Sequence, residues 1–183
     1  ETGAKYPISA VLENEITSSA DLSASFQLGY STSDSAVYVL VTVTDDVHRI
    51  DHQEGSLTDE QDQCLIYLDQ QHDPRGSGVN VYCFNERYKE IDGAETNWDP
   101  KVREPNWEKM QVASQRVGNK TYYEIQILFE KGISAGKALG LDFMIYDFDK
   151  SDQEEGLTRV SWINSEGKEK VPFRIGNILL AEA

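Results

Sequence analysis

The chain predicts an all-β fold, a two-sheet antiparallel β-sandwich of about ten strands with one long loop excursion. Two observations carry that expectation. Runs of β-branched and aromatic residues recur between clusters of Gly, Pro, Asn, Asp and Ser, at the spacing of short strands. Helical periodicity is almost absent, and residues 130–138 are the only stretch suited to a short helical turn.

The clearest strand is Ala36-Val37-Tyr38-Val39-Leu40-Val41-Thr42-Val43, where no breaker interrupts the run and Val37, Val39, Val41 and Val43 share one face. It leaves the core at Asp45 and Asp46, so two carboxylates mark its end. Before it, Phe26, Leu28 and Tyr30 alternate ahead of a Ser-Thr-Ser-Asp-Ser turn. A hairpin follows from Met110-Gln111-Val112 and Tyr123-Glu124-Ile125-Gln126-Ile127, which flank Gly118-Asn119. Pairing about that turn sets Val112 opposite Ile125 and Met110 opposite Ile127, with Tyr123, Ile125, Ile127 and Phe129 inward and Tyr122, Glu124 and Gln126 outward. Residues 139–146 and 175–180 supply further strands. The charged stretch 86–107, with Pro100 and Pro105, is the excursion, and its Trp98 and Trp107 suggest that it packs back or builds a binding rim.

The two cysteines are read by register. Leu65-Ile66-Tyr67-Leu68 and Val79-Asn80-Val81-Tyr82 form two strands joined by a loop containing Asp73-Pro74. If Leu68 faces Val79, then Ile66 faces Val81 and Cys64 faces Cys83, and the apolar set falls on one face. That register predicts a Cys64–Cys83 disulfide, worth about 3 kcal/mol by loop closure. Two free buried thiols are the alternative.

Length and composition bound the rest. With 183 residues, 39% hydrophobic and 10% aromatic, the chain supports one sizeable core, so residues 4–183 read as a single domain. Glu1-Thr2-Gly3 reads as the remnant of a secretion vector. A net charge of −15 with 17 scattered Lys and Arg excludes nucleic acid and anionic membrane as natural partners. No apolar run approaches the roughly 20 residues of a membrane span, so no membrane insertion is expected. An extracellular or secreted origin follows from the remnant, the expected disulfide, and the sequon Asn119-Lys120-Thr121, whose turn position would expose a glycan at Asn119.

Taken in order, the run from Val37 through Asp45-Asp46, then Asp62-Gln63-Cys64-Leu65-Ile66-Tyr67-Leu68-Asp69, then Tyr123-Glu124-Ile125-Gln126-Ile127, then Leu141-Asp142-Phe143-Met144-Ile145-Tyr146-Asp147-Phe148-Asp149, then Trp162 and Ile175-Gly176-Asn177-Ile178-Leu179-Leu180, resembles the family 9 carbohydrate-binding modules and their DOMON-type relatives. The resemblance implies a non-catalytic β-sandwich that binds the ends of sugar chains and carries calcium as a structural element. It also implies two tryptophans clamping the sugar. Here Leu57-Thr58-Asp59-Glu60 and Lys170-Val171-Pro172-Phe173 stand at those places, and Leu65 stands where the family often carries Glu.

A sugar site needs flat aromatic faces and fixed planar polar groups. Trp98 beside Asn97, Trp107 and Phe173 are the candidate ligand-binding residues, with Trp162 a core residue of its strand. Calcium needs six to eight oxygens. Asp147 and Asp149, followed by Ser151, Asp152, Glu154 and Glu155, offer one set, and Asp45, Asp46 and Asp69, which the resemblance brings together, offer another. His48 and His52 lack the glutamate of a zinc-protease helix and read as surface-loop residues. No nucleophile elbow, phosphate loop or Cys-X-X-Cys occurs, so no enzyme is predicted. A glycan-binding module is the leading reading. The alternatives are a protein-recognition or adhesion ectodomain that keeps the sandwich without the clamp, and a haem-binding DOMON-type domain using Met110, Met144 or a histidine.

Overall fold

The computed structural model describes residues 4–50, 61–72, 79–87, 107–149, 156–165, 167 and 174–182. Its strands are β1 (Lys5–Ile8), β2 (Ala10–Glu13), β3 (Leu22–Ser31), β4 (Ala36–Asp45), β5 (Gln63–Asp69), β6 (Asn80–Phe84), β7 (Met110–Val117), β8 (Lys120–Leu128), β9 (Ala138–Phe148), β10 (Leu157–Ser161) and β11 (Gly176–Leu179). A five-stranded sheet runs β1-β3-β4-β8-β7, and a six-stranded sheet runs β2-β10-β9-β5-β6 with β11 also on β9. All pairings are antiparallel. The all-β sandwich is as the sequence predicts, with eleven strands among the described residues. The pair β1 and β2 went unread because neither alternates: Lys5, Tyr6 and Pro7 are all exposed.

Two strand readings hold in detail. Val37, Val39, Val41 and Val43 are buried on one face of β4. The β7–β8 hairpin pairs Met110 with Ile127 and Val112 with Ile125 about a two-residue turn. Gly118 takes φ +64° there, which suits the glycine-first turns that match strand twist. Residues 130–138 form no helix: Gly132 and Gly136 adopt left-handed φ of +75° and +82° and break any helical run. A 3₁₀ turn forms at Trp107–Lys109.

The core between the sheets is aromatic at its centre. Phe26 on β3 lies 4.5 Å from Phe143 on β9 and 4.9 Å, edge-on, from Trp162. Trp162 therefore packs against the core, as expected, although it lies just past the end of β10 rather than within a strand. It also explains Gly176: a Cβ there would sit 2.1 Å from the Trp162 ring.

The disulfide expectation is corrected. Cys83 pairs with Leu65, and Cys64 pairs with Phe84, one residue off the predicted register. A one-residue slip turns a side chain to the other face, so Cys64 joins the cluster between the sheets while Cys83 joins a second cluster on the far face of the same sheet. Both thiols are buried and neither is in a disulfide, and burial pushes the Cys64 thiol well up. The apolar pattern could not choose the register, because Leu65, Tyr67, Val81 and Met144 on the far face are buried as well. Met110 and Met144 likewise sit in different clusters, each filling apolar space.

Candidate functional site

One end of the sandwich gathers most of its buried charge. Asp45 closes β4, Asp62 precedes β5, Glu86 follows β6, Arg116 ends β7 and Asp147 ends β9, so both sheets contribute. Burial is deep: Asp45 is 3% exposed, Asp62 7% and Asp147 2%.

The first half of this cluster is internally paired. His48 Nε2 lies 3.0 Å from Glu86 Oε1, and His48 Nδ1 lies 3.2 Å from Asp62 Oδ2 and 3.5 Å from Asp45 Oδ2. Arg116 Nη1 donates to Asp45 Oδ2 at 3.1 Å and Nη2 to the Asp45 carbonyl at 2.8 Å. Thr121 and Tyr123 hydroxyls donate to the two Glu86 oxygens. The Arg49 and Phe148 amides donate to the two Asp62 oxygens, at 2.6 and 3.0 Å. Burial opposes the His48 charge, yet its hydrogen bonds to Asp45, Asp62 and Glu86 push it up to about 11. Burial alone would also raise Glu86, but the hydrogen bond and charge of His48 hold it below the usual range. Three carboxylates thus face two cations, and a buried ionic cluster of this kind persists because each charge has a partner.

The second half is not paired. Ligand atoms of Asp21, Asp147 and Asp149 lie within 4.8 Å of one another, as do those of Asp45, Asp46 and Asp149. Asp147 Oδ1 and Asp149 Oδ1 are buried without any hydrogen-bond partner. Burial first, then the negative charges of Asp149, Asp45, Asp62 and Asp21, push Asp147 up to about 9. Burial and the charges of Asp45, Asp21 and Asp46 push Asp149 up to about 7. No Lys, Arg or His among the described residues bonds either carboxylate.

The sequence candidates distribute as follows. Asp45, Asp46, Asp147 and Asp149, read as two separate sets, converge on one place, and Asp21 joins them. Asp69 does not: it closes the seven-residue β5 at the end opposite Asp62, about 20 Å along the strand. There its Oδ1 accepts from the Gln71 and His72 amides and closes a turn. Trp107 is half-buried and packs edge-on against Tyr82 and Phe84, at 5.2 and 6.2 Å, which holds it to the core as a structural residue. Asn119 is exposed in the β7–β8 turn. Trp98, Asn97, Phe173 and His52 lie outside the described residues, as do Ser151, Asp152, Glu154 and Glu155.

His48 corrects its expectation as a surface-loop residue. Its role, with Glu86 and Arg116, was missed because the partners are far apart in sequence. One signal was present: strand alternation from Met110 and Val112 carries Arg116 inward, and an inward arginine requires buried acids.

Comparison with known proteins places this architecture. The family described as "Carbohydrate family 9 binding domain-like" matches residues 1–183. A carbohydrate-binding module of family 9 from Caldicellulosiruptor kristjanssonii, solved with cellotriose, superposes with a TM-score of 0.74 at 19% identity, over 99% of this chain and 84% of that one. The structure with glucose gives 0.73 at 18% identity, over 99% and 86%. A candidate carbohydrate-binding protein from Bacteroides uniformis gives 0.60 at 10% identity, over 97% and 86%. A search of curated proteins finds no significant match.

Proposed function

The chain belongs to the carbohydrate family 9 binding domain-like family, and from that premise we propose that it is a non-catalytic glycan-binding module of an extracellular protein, with calcium as a structural ion. The match across the whole chain, on a sandwich shared with modules solved with cellotriose and glucose, is the observation that carries the glycan reading. The sequon supports the compartment, with its Asn119 exposed for a glycan. The unbridged thiols lend it nothing.

The calcium reading rests on geometry. Asp21, Asp45, Asp46, Asp147 and Asp149 offer hard oxygen ligands from three segments, and two of their buried oxygens lack any donor. A divalent cation would satisfy those oxygens and cancel the repulsion that raises both carboxyls. Millimolar calcium should therefore raise the melting temperature relative to chelator, by about 5–10 °C if calcium is present at about a hundred times its Kd. No shift would remove the ion from the reading.

For the sugar, a glycan array probed in calcium is the direct test. Binding of neutral saccharides is the expected outcome. A folded, monodisperse sample that binds none would favour a protein-recognition ectodomain, for which the inward packing of Trp107 and Trp162 is the specific observation.

A further inference from the structure

On the opposite, outer face of the five-stranded sheet lies a groove of about 660 Å³, within the ~300–1,000 Å³ range of small-ligand sites. It crosses β3, β4, β8 and β7. Strand pairing sets its side chains in two cross-strand rows. Gly29, Tyr38, Gln126 and Gln111 form one, and Gln27, Leu40, Glu124 and Ala113 form the other. With strands about 4.8 Å apart, each row spans about 14 Å, longer than one pyranose ring.

Tyr38 is 38% exposed, and its ring is fixed from its tip. The hydroxyl donates to Asp34 Oδ2 at 3.0 Å and accepts from Gln126 Nε2 at 3.0 Å. An aromatic face held in this way loses little freedom when a ligand stacks on it. Beside it, Gly29 faces Tyr38 across the ladder. Glycine weakens a strand interior and often marks a place where something approaches closely. The backbone does not demand it here, since its φ lies outside the left-handed region, and a Cβ would meet nothing within 4 Å. Open space above the strand is what this glycine preserves.

The lining also selects the ligand. Among the described residues Glu124 is its one charged side chain and no Lys or Arg lines it, so a sulfated, phosphorylated or uronate chain would find no cation there and would meet a protein of net charge −15. Three glutamines offer planar donors and acceptors, as sugar hydroxyls require, and Tyr38 sets an aromatic face among them.

We propose that this groove is a binding site for a neutral polysaccharide chain, with Tyr38 as the stacking platform, Gln126, Gln111 and Glu124 as hydroxyl partners, and Gly29 as the gap that admits the sugar ring. The assignment rests on the glycan reading and adds a location to it, on the face of the sheet and away from the acidic end. The test is titration of the whole chain, in calcium, with soluble neutral β-glucan and cellotriose, comparing wild type with Gly29→Trp and Tyr38→Ala. Gly29→Trp fills the groove without backbone strain and should leave the melting temperature within a few degrees. Either variant should weaken binding at least tenfold, which corresponds to about 1.4 kcal/mol. Gln126→Ala, at an exposed-face position, should weaken it as well and serves if Gly29→Trp folds poorly. Unchanged affinity in folded variants overturns the groove while the glycan reading stands. A wild type that binds neither probe nor any arrayed saccharide overturns both.

Discussion

At the acidic end of the sandwich two groups of carboxylates lie side by side and share Asp45, yet they solve opposite problems. Around His48, three acids are matched by two cations and by the hydroxyls of Thr121 and Tyr123. Around Asp149, acids from three segments meet, and among the described residues no cation bonds Asp147 or Asp149, whose two buried Oδ1 atoms have no donor. Buried charge costs several kcal/mol per ion unless it is paired. The first group therefore acts as scaffold, tying β4, β5, β6 and β7 together, while the second is complete only when something positive enters. The same residue type serves structure or site according to what faces it, and acid content alone does not distinguish the two.

The largest effect should come from breaking the paired group. His48→Ala removes one cation and leaves Asp62 and Glu86 facing each other in a half-buried setting. Loss of one partner from a buried pair costs about 3–5 kcal/mol, and the partial exposure of His48 places the expected loss near the lower value. Denaturant unfolding measures it. A loss below about 1 kcal/mol would mean that water already screens this cluster as it would a surface pair.

The unpaired group should answer to pH and calcium together. The folded-state values of Asp147 and Asp149 are raised, to about 9 and about 7, from 3.8. Their stabilising contribution is full below the unfolded value near 3.8 and is lost as pH rises through the folded values. In chelator, stability should fall between about pH 4 and pH 9 on their account. His48 is raised from 6.5 to about 11, so its contribution is full below pH 6.5 and is lost as pH rises through about 11. Calcium separates these overlapping windows, since it binds ionised carboxylates and should offset only the first loss. The calcium-induced rise in melting temperature should therefore grow from pH 5 to pH 8. Asp147→Asn should raise the melting temperature in chelator at pH 8 by about 2–4 °C, roughly 1 kcal/mol for this size, and remove most of the calcium response. A variant less stable than wild type in chelator would show that Asp147 is already compensated.

How far these features were legible depends on how many faces of a strand are buried. On β4 and β8 one face is buried and the other is largely open, so alternation gave the inward residues and the β7–β8 register directly. On β5 and β6 both faces are buried, alternation carries no information, and the register of Cys64 and Cys83 could not be read. Asp147-Phe148-Asp149 was visible as a local pattern at a strand end. Its union with Asp45 and Asp46 was not, because β4 and β9 belong to different sheets and meet only when the sheets stack. The His48 cluster is the extreme case, with partners drawn from positions 45, 62, 86 and 116.

The smallest effect should come from Asp69, which supplies the control that both groups need. It is a strand-end aspartate of the same local appearance as Asp45, but its Oδ1 accepts from the Gln71 and His72 amides at 3.1 and 3.0 Å. It closes a turn and needs no charged partner. Asp69→Asn keeps an acceptor for those amides, whereas Asp69→Ala removes it, at about 1 kcal/mol for the lost bonding. The expected order in chelator is wild type close to Asp69→Asn and above Asp69→Ala, with the calcium response unchanged in both. If Asp69→Asn abolished that response as Asp147→Asn is expected to, the charge of Asp69 would have to act across about 20 Å of β5, roughly two Debye lengths at physiological ionic strength. Screening over that distance makes such a result incompatible with an ion held at the Asp147 end.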